Sequence, residues 1–470
     1  MFSAATLAAR RASLLAAMRG EGAKGIIFLP GNSAIPRNYI NNAYPFRQDS
    51  TFLYYFGHNT ADLNATLDLD TGTIRLWADT QTMDDIIWSG PLPSPQAMAE
   101  RCGCECAPSP GKNALVTWLR DAVRQNAPLH FLPPYQADTA RWLAHCTGLP
   151  ETSLAEAASP ALIRSVVAQR SIKTPDEVAE IESALGISCA MYAKAMELAR
   201  PGLTESCVAS AMNAAVALHN SHNSFTTICT IRGEVLHNHD YSHVMKQGDL
   251  LLIDSGAESG RYYASDITRT LPVGGLFSSR QRDVYTLVLA MQQAAIDLAA
   301  PDVSYRDCHM AAAHCLADGL RGMGLLRGSV DDIVAAGAHA LFFPHGLGHL
   351  LGLDVHDMEH LGEDYVGYDA THARSDQFGL HALRFARELR PGHVLTVEPG
   401  CYFIPALMDR WQQQGTCREF INYEALSAFR DFGGIRIEDD LLITESGHRV
   451  LGPAIAKTPE GIEARMHAGS

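Results

Sequence analysis

The chain has 470 residues, of which 47% are hydrophobic and 19% charged, and a formal net charge of −15 at pH 7. One hydrophobic core serves up to roughly 250 to 300 residues, so two domains are expected. The acidic balance works against nucleic-acid phosphates, and no apolar run approaches the roughly 20 residues that a membrane span needs.

The eleven cysteines are odd in number and mostly isolated. They read as thiols of a reducing compartment, the cytoplasm, rather than as a disulfide framework. In Cys102-Gly-Cys104-Glu-Cys106 a soft metal would find no obvious fourth partner, and a loop without an assigned role is the reading.

In chain order, Ala8-Ala-Arg-Arg-Ala-Ser-Leu-Leu reads as part of a first helix rather than a targeting peptide. Ile26-Ile-Phe-Leu29 is a short strand, and residues 65–70 turn at Thr71-Gly72 into residues 73–77 as a hairpin. Proline-rich patches at 91–95 and 108–110, each followed by a helix-like stretch, complete a smaller α/β domain assigned to residues 1–160. Residues 161–470 then form a larger α+β domain. Thr174-Pro-Asp-Glu177 starts a helix, with an N-cap threonine, proline at the first turn and glutamate three after the cap. Further helices follow Ser278 and Ser304, with β-rich segments between and after them.

Those segments carry one phrase twice: Gly248-Asp-Leu-Leu-Leu-Ile-Asp254-Ser-Gly256 and Gly392-His-Val-Leu-Thr-Val-Glu398-Pro-Gly400. In each copy a glycine opens an apolar strand and a carboxylate closes it before a second glycine. The domain therefore reads as two related halves whose strands deliver acids to one cleft. Asp266, Glu438 and His349 of His345-Gly-Leu-Gly-His349 join them. Any one of these residues alone reads as a turn or packing residue; together, four carboxylates and one imidazole suit manganese, cobalt or zinc, and five ligands imply two ions. In such a site a bridging water becomes hydroxide while one ion polarises the substrate oxygen. Gly346 and Gly348 make the His345–His349 segment a strand or loop, not a helical zinc motif. His356, seven residues on, reaches the same cleft from a following strand and donates to an oxyanion.

These residues, with His237 and the upstream stretch Phe46-Arg-Gln-Asp-Ser-Thr-Phe-Leu-Tyr-Tyr-Phe-Gly57, resemble the aminopeptidase P and prolidase family over nearly the whole chain. The resemblance implies a catalytic domain of duplicated "pita-bread" fold behind a smaller N-terminal domain. It implies that Asp254 binds one ion, His349 and Glu398 the other, and that Asp266 and Glu438 bridge the pair, with manganese the expected metal. Glu398 would also pass a proton from water to the leaving prolyl nitrogen, His356 would steady the tetrahedral intermediate, and His237 and His345 would hold the substrate. Arg436, on the same side of its strand as Glu438, would orient the acids. Between Asp254 and Asp266 the chain has one residue more than many family members, expected at the Ser259-Gly260-Arg261 turn.

Two substrate classes divide the family. Arg384 matches an arginine that grips a dipeptide's C-terminal carboxylate in prolidases, while Asp85-Ile-Ile-Trp88, residues 356–359 and the tail 456–466 resemble aminopeptidase P. The expectation is an Xaa-Pro aminopeptidase acting on peptides with proline second, with prolidase as the alternative. A metal-free binding module, a creatine-hydrolysing relative and a methionine aminopeptidase are the remoter alternatives. The resemblance also implies a homodimer or homotetramer in which Trp88 narrows a neighbour's cleft.

Overall fold

A computed structural model describes residues 1–108 and 111–468; Ser109 and Pro110 of the second proline-rich patch lie outside the described residues. The chain divides into two compact units, Met1–Arg170 with His360–Tyr365 and Ser171–Glu359 with Val366–Ser470. The helix Pro160–Ser171 begins where the sequence suggested a domain limit, and the units part near its other end.

The first unit is built on a five-stranded mixed sheet of β1 (Ile26–Pro30), β2 (Asn64–Asp68), β3 (Ile74–Trp77), β4 (Glu105–Cys106) and β5 (Leu129–His130), in the order β4-β3-β2-β1-β5. The first four residues of β1, Ile-Ile-Phe-Leu, are all buried, as a strand covered on both faces requires. β2 and β3 pair as an antiparallel hairpin. The segment after Phe46 becomes the helix Ser50–Phe56, started by the Asp49 carboxylate accepting from the Phe52 N–H at 2.8 Å and stopped by Gly57 at φ +71°. All seven of its residues are buried.

In the second unit Thr174 and Glu177 form a capping box on the helix Pro175–Leu198, and Ser278 with Gln281 does the same for Ser279–Leu298. Ser304 caps Tyr305–Gly322. Two three-stranded antiparallel sheets carry the duplicated phrase. One holds β6 (Ile228–Thr230), β7 (Leu250–Ser255) and β8 (Ile267–Pro272); the other holds β9 (Val394–Val397), β12 (Asp439–Thr444) and β13 (Gly447–Val450). Between β9 and β12 in sequence, β10 (Gly400–Tyr402) pairs with β11 (Gly434–Arg436). Gly248 and Gly392 sit at φ +89° and +88°, so the same left-handed turn launches both copies of the phrase.

The sheets meet along β8. The Glu438 N–H donates to the Thr268 carbonyl at 3.1 Å, and the Asp266 N–H donates to the Asp440 carboxylate at 3.2 Å. The Arg436 N–H donates to Thr270 Oγ1 at 3.2 Å. This seam brings acids nearly 200 positions apart in sequence to one place. The hairpin between Asp254 and Asp266 closes with a Ser259 N–H to Tyr263 carbonyl bond and turns through Tyr262 at φ +68°.

Candidate metal centre

The centre starts from backbone placement. Asp254 lies near the end of β7, Asp266 one residue before β8, Glu398 one residue after β9, and Glu438 between β11 and β12. His349 is carried beside Glu398 because its segment runs along β9. The Thr396 N–H donates to the His349 carbonyl at 3.0 Å, and the Glu398 N–H to the Leu347 carbonyl at 2.8 Å. A Cβ at Gly348 would collide with the Thr396 carbonyl, and one at Gly346 would press on Leu383, so both glycines are needed for this close approach. The segment is a loop with one bridge, Leu350 to Leu395, and not a helix.

One ligand atom from each of Asp266, His349 and Glu438 fits within a 4.8 Å cluster, and all three residues are buried. His349 Nε2 lies 3.6 Å from both Asp266 Oδ2 and Glu398 Oε1. Its Nδ1 is 3.1 Å from the Leu350 carbonyl, which can only accept, so Nδ1 carries the proton. That leaves Nε2 as the nitrogen that faces the carboxylate oxygens. Asp254, Asp266 and Glu438 each have a buried oxygen without a hydrogen-bond partner among the described residues. Burial, then Asp254, pushes the Asp266 carboxyl well above its ordinary range; burial, then Asp266, does so for Glu438. Burial pushes Glu398 up to about 7. Acceptors crowded on acceptors, each short of a donor, are what a divalent cation reconciles, and the residues fit such a group.

Arg436 is the buried cation within this cluster. Its Nη2 donates to Asp254 Oδ2 at 2.7 Å, its Nε to Thr268 Oγ1 at 3.1 Å and its Nη1 to the Tyr402 hydroxyl at 2.9 Å. Thr268 Oγ1 donates onward to Glu438 Oε2 at 2.7 Å. One guanidinium thereby aligns two acids, one from each half.

The histidines differ in their commitments. The His356 ring stacks on His349, with centroids 3.8 Å apart and planes 15° apart. Its Nδ1 is 3.0 Å from Glu359 Oε2, which also accepts from Arg384 Nη1 at 2.6 Å. Burial pulls His356 down to about 4, and although burial acts the other way on Glu359, the bond from His356 holds that acid at about 2. His356 lies in a turn and not on a strand. Its neighbour Asp357 is buried against Lys173 Nζ at 2.8 Å, which pins the turn. His345 has both nitrogens engaged, Nδ1 with the Gly346 carbonyl at 2.8 Å and Nε2 with the Tyr402 hydroxyl at 2.9 Å. Burial and Arg436 pull His237 below its usual range.

Asp254, Asp266, His349, Glu398, Glu438, His237, His345, His356, Arg384 and Arg436 all line one cleft of about 380 Å³ in the second unit. Trp88 does not belong to this group: it lies in the first unit on the helix Met83–Ser89 and is 86% exposed. Sequence reasoning missed Thr268, Glu359, Tyr402 and the Lys173–Asp357 pair. Thr268 stands two residues after Asp266, which puts it on the same side of its strand and was a usable signal; Tyr402 and Lys173 had none, because their partners are remote in sequence.

Comparison with known proteins agrees with this geometry. The model of metallopeptidase family M24 matches residues 179–445, and that of the aminopeptidase P N-terminal domain matches residues 7–127. The human Xaa-Pro dipeptidase is 33% identical over 94% of this chain and 89% of its own length. The Xaa-Pro aminopeptidase of Escherichia coli K12 is 31% identical over 98% of this chain and 97% of its own. Among solved structures, an aminopeptidase of Pseudomonas aeruginosa superposes with a TM-score of 0.80 at 27% identity, covering 100% of this chain and 99% of that one. Zinc-substituted aminopeptidase P of Escherichia coli with its product superposes at 0.79 and 28%, with the same coverage. The duplicated acids, the cleft they share and the N-terminal unit ahead of them make this chain a member of metallopeptidase family M24.

Proposed function

We propose that this chain is a metal-dependent Xaa-Pro exopeptidase that releases the first residue of peptides with proline in second position. The observation that carries this is the set of buried carboxylate oxygens without partners among the described residues, on Asp254, Asp266 and Glu438, around Nε2 of His349 in one cleft. Asp254, Asp266, His349, Glu398 and Glu438 would hold two divalent ions; oxygen ligands with one imidazole suit manganese first, with cobalt or zinc as alternatives. Bound there, the ions supply acidification of the attacking water and polarisation of the scissile carbonyl.

The chain's own residues do the rest. The Glu398 carboxylate, poised by burial at about 7 in the metal-free chain, takes a proton from the water and delivers it to the leaving prolyl nitrogen. Glu359 fixes the His356 ring with Nδ1–H toward itself and so turns Nε2 to the cleft, and its negative charge opposes the burial that keeps the ring neutral, so that a proton taken up at Nε2 during turnover would be donated to the developing oxyanion. Phe225, Ile228, Leu236 and Val355 give the cleft an apolar wall suited to a prolyl ring. His237 borders the substrate, and His345 acts through Tyr402 and its packing rather than through a free nitrogen. Arg436 keeps Asp254 and Glu438 aligned.

A second reading, a dipeptidase, is favoured by Arg384, whose guanidinium stands in the wall of the same cleft, where a dipeptide's C-terminal carboxylate would pair with it. A cytoplasmic homodimer or homotetramer, with Trp88 at a neighbour's cleft, completes the proposal. The eleven free cysteines support the reducing compartment, and no helix among the described residues is long and apolar enough to cross a membrane. The deciding experiment is turnover of Gly-Pro beside Arg-Pro-Pro-Gly by the manganese-loaded protein, with a chelated control. Preference for the longer peptide is expected, preference for the dipeptide transfers the assignment to Arg384 and a dipeptidase, and silence on both overturns the peptidase.

A further inference from the structure

The first unit holds a second chemical cluster, one that peptide hydrolysis does not use. Cys102 closes the helix Pro95–Cys102, and Gly103, at φ +69°, reverses the chain so that Cys104 folds back over the helix end. The two sulfur atoms lie 3.3 Å apart. A disulfide needs a separation of about 2.05 Å, so closure asks the two sulfurs to approach by about a further 1.2 Å. Cys102 is fully buried and Cys104 half-buried, so the pair has one inner and one outer sulfur.

The surroundings are electropositive. Arg11 is fully buried, with Nη1 donating to the Tyr55 carbonyl at 2.6 Å and Nη2 to the Cys102 and Gly103 carbonyls at 2.6 and 3.0 Å. Its Nε has no partner, and among the described residues no carboxylate is paired with it; the ionisable groups that favour its charge are Cys102 and Cys104. A buried guanidinium without a counter-anion is costly unless something nearby ionises. His58, held by the Met98 carbonyl at 2.8 Å, stands beside the Cys102 sulfur.

We propose that Cys102 and Cys104 form a dithiol redox site, charged by Arg11, whose substrate class is a low-molecular-weight disulfide such as oxidised glutathione. The outer sulfur of Cys104, passing its proton to the Cys102 sulfur to which it is hydrogen-bonded, attacks one sulfur of the small disulfide, forming a mixed disulfide and expelling the first thiol, which is protonated from solvent. The Cys102 sulfur then attacks Cys104 Sγ, closing the protein disulfide and expelling the second thiol, which leaves with the proton that Cys102 had received. The hydrogen bonds from Cys104 and His58, with the Arg11 charge, outweigh burial and lower the Cys102 thiol, while that same hydrogen bond and burial push Cys104 up, so the pair shares one proton that rests on the outer sulfur. Cys146, where burial outweighs the charge of Arg120, is pushed up to about 12 and serves as the inert control.

The test treats the full reduced protein with glutathione disulfide, blocks remaining thiols with iodoacetamide and maps the peptides by mass. The expected product is a peptide two hydrogens lighter, with Cys102 and Cys104 joined and Cys146 alkylated on unfolding. Cys102→Ser is expected to retain glutathione on Cys104, because the displacing thiol is gone. Wild-type protein that keeps both thiols free, or that accumulates the mixed disulfide, overturns the proposal. Arg11→Met is expected to move the midpoint of the alkylation-rate profile of Cys102 up by at least about one pH unit, a fall of about tenfold in rate at pH values below the midpoint, and an unchanged profile overturns the charging role. If Arg11→Met does not fold, the Cys102→Ser arm decides alone.

Discussion

Glu438 and Asp439 are adjacent buried carboxylates with opposite surroundings. Asp439 turns away from the cleft into a closed network, where Arg269 Nη2 donates to its Oδ1 at 2.6 Å, Lys457 Nζ to its Oδ2 at 2.7 Å and Gln292 Nε2 to the same oxygen at 3.2 Å. Burial would raise its pKa, but Arg269 and Lys457 lower it below the usual range. Glu438 turns into the cleft, accepts a single hydroxyl bond from Thr268 and is pushed well above that range. The contrast teaches what to look for: where the chain supplies its own counter-charge an acid is structural, and where it withholds it the acid is reserved for something brought from outside.

The contrast breaks most sharply at Glu438 itself. Glu438→Gln, or Asp266→Ala, is expected to abolish manganese binding and turnover together, read by metal analysis and peptide assay. The metal-free variant should unfold at no lower temperature than metal-free wild type, because a repelled charge has been removed. Full activity in either variant would end the two-ion model. One residue away the expected outcome reverses: Asp439→Ala strands Arg269 and Lys457, and should cost about 3 to 5 kcal/mol in chemical denaturation. Equal stability with lost metal would show that the two faces are not distinct.

His356→Ala tests the cleft face without touching the ion ligands. Metal content should persist while turnover falls by about two to three orders of magnitude, and loss of metal would mean that the ring is structural to the site.

The smallest effect concerns buried imidazoles away from the acids. Burial pulls His309 down to about 3 and His339 to about 4, and the Nδ1 of each is without a partner among the described residues. The unfolded chain binds these protons below about 6.5 and the folded chain does not. Their stability contribution is therefore complete above about 6.5 and lost as pH falls toward the folded values, by about 2 kcal/mol for each ring at pH 5. Denaturation of His309→Phe at pH 7 and pH 5 should show a shallower fall than wild type, and equal slopes would sink this account.

Much was legible because it depends on near neighbours in the chain. Thr174, Ser278 and Ser304 announce their helices through caps satisfied within three residues. The twin glycine-strand-acid phrases, and the glycines of the His345–His349 segment, mark strands that end at a site and a loop too tight for side chains. The partners that hold the site were not legible. Nothing beside Tyr402 says that it joins His345 to Arg436, and nothing beside His356 in the sequence distinguishes Glu359, three residues on, as its anchor from an ordinary turn acid.

The amino-acid order by itself determined which residue types stand at strand ends, where helices begin, and that five metal-compatible side chains recur in a duplicated frame; these follow from backbone sterics, capping and alternation, which act over a few residues. Only the tertiary structure decided that one guanidinium holds Asp254 directly and Glu438 through Thr268, that Asp439 is neutralised while Glu438 is not, and that Arg11 finds two sulfurs instead of an acid. Charge compensation is set by distance and desolvation through space, and those are fixed when remote segments pack together.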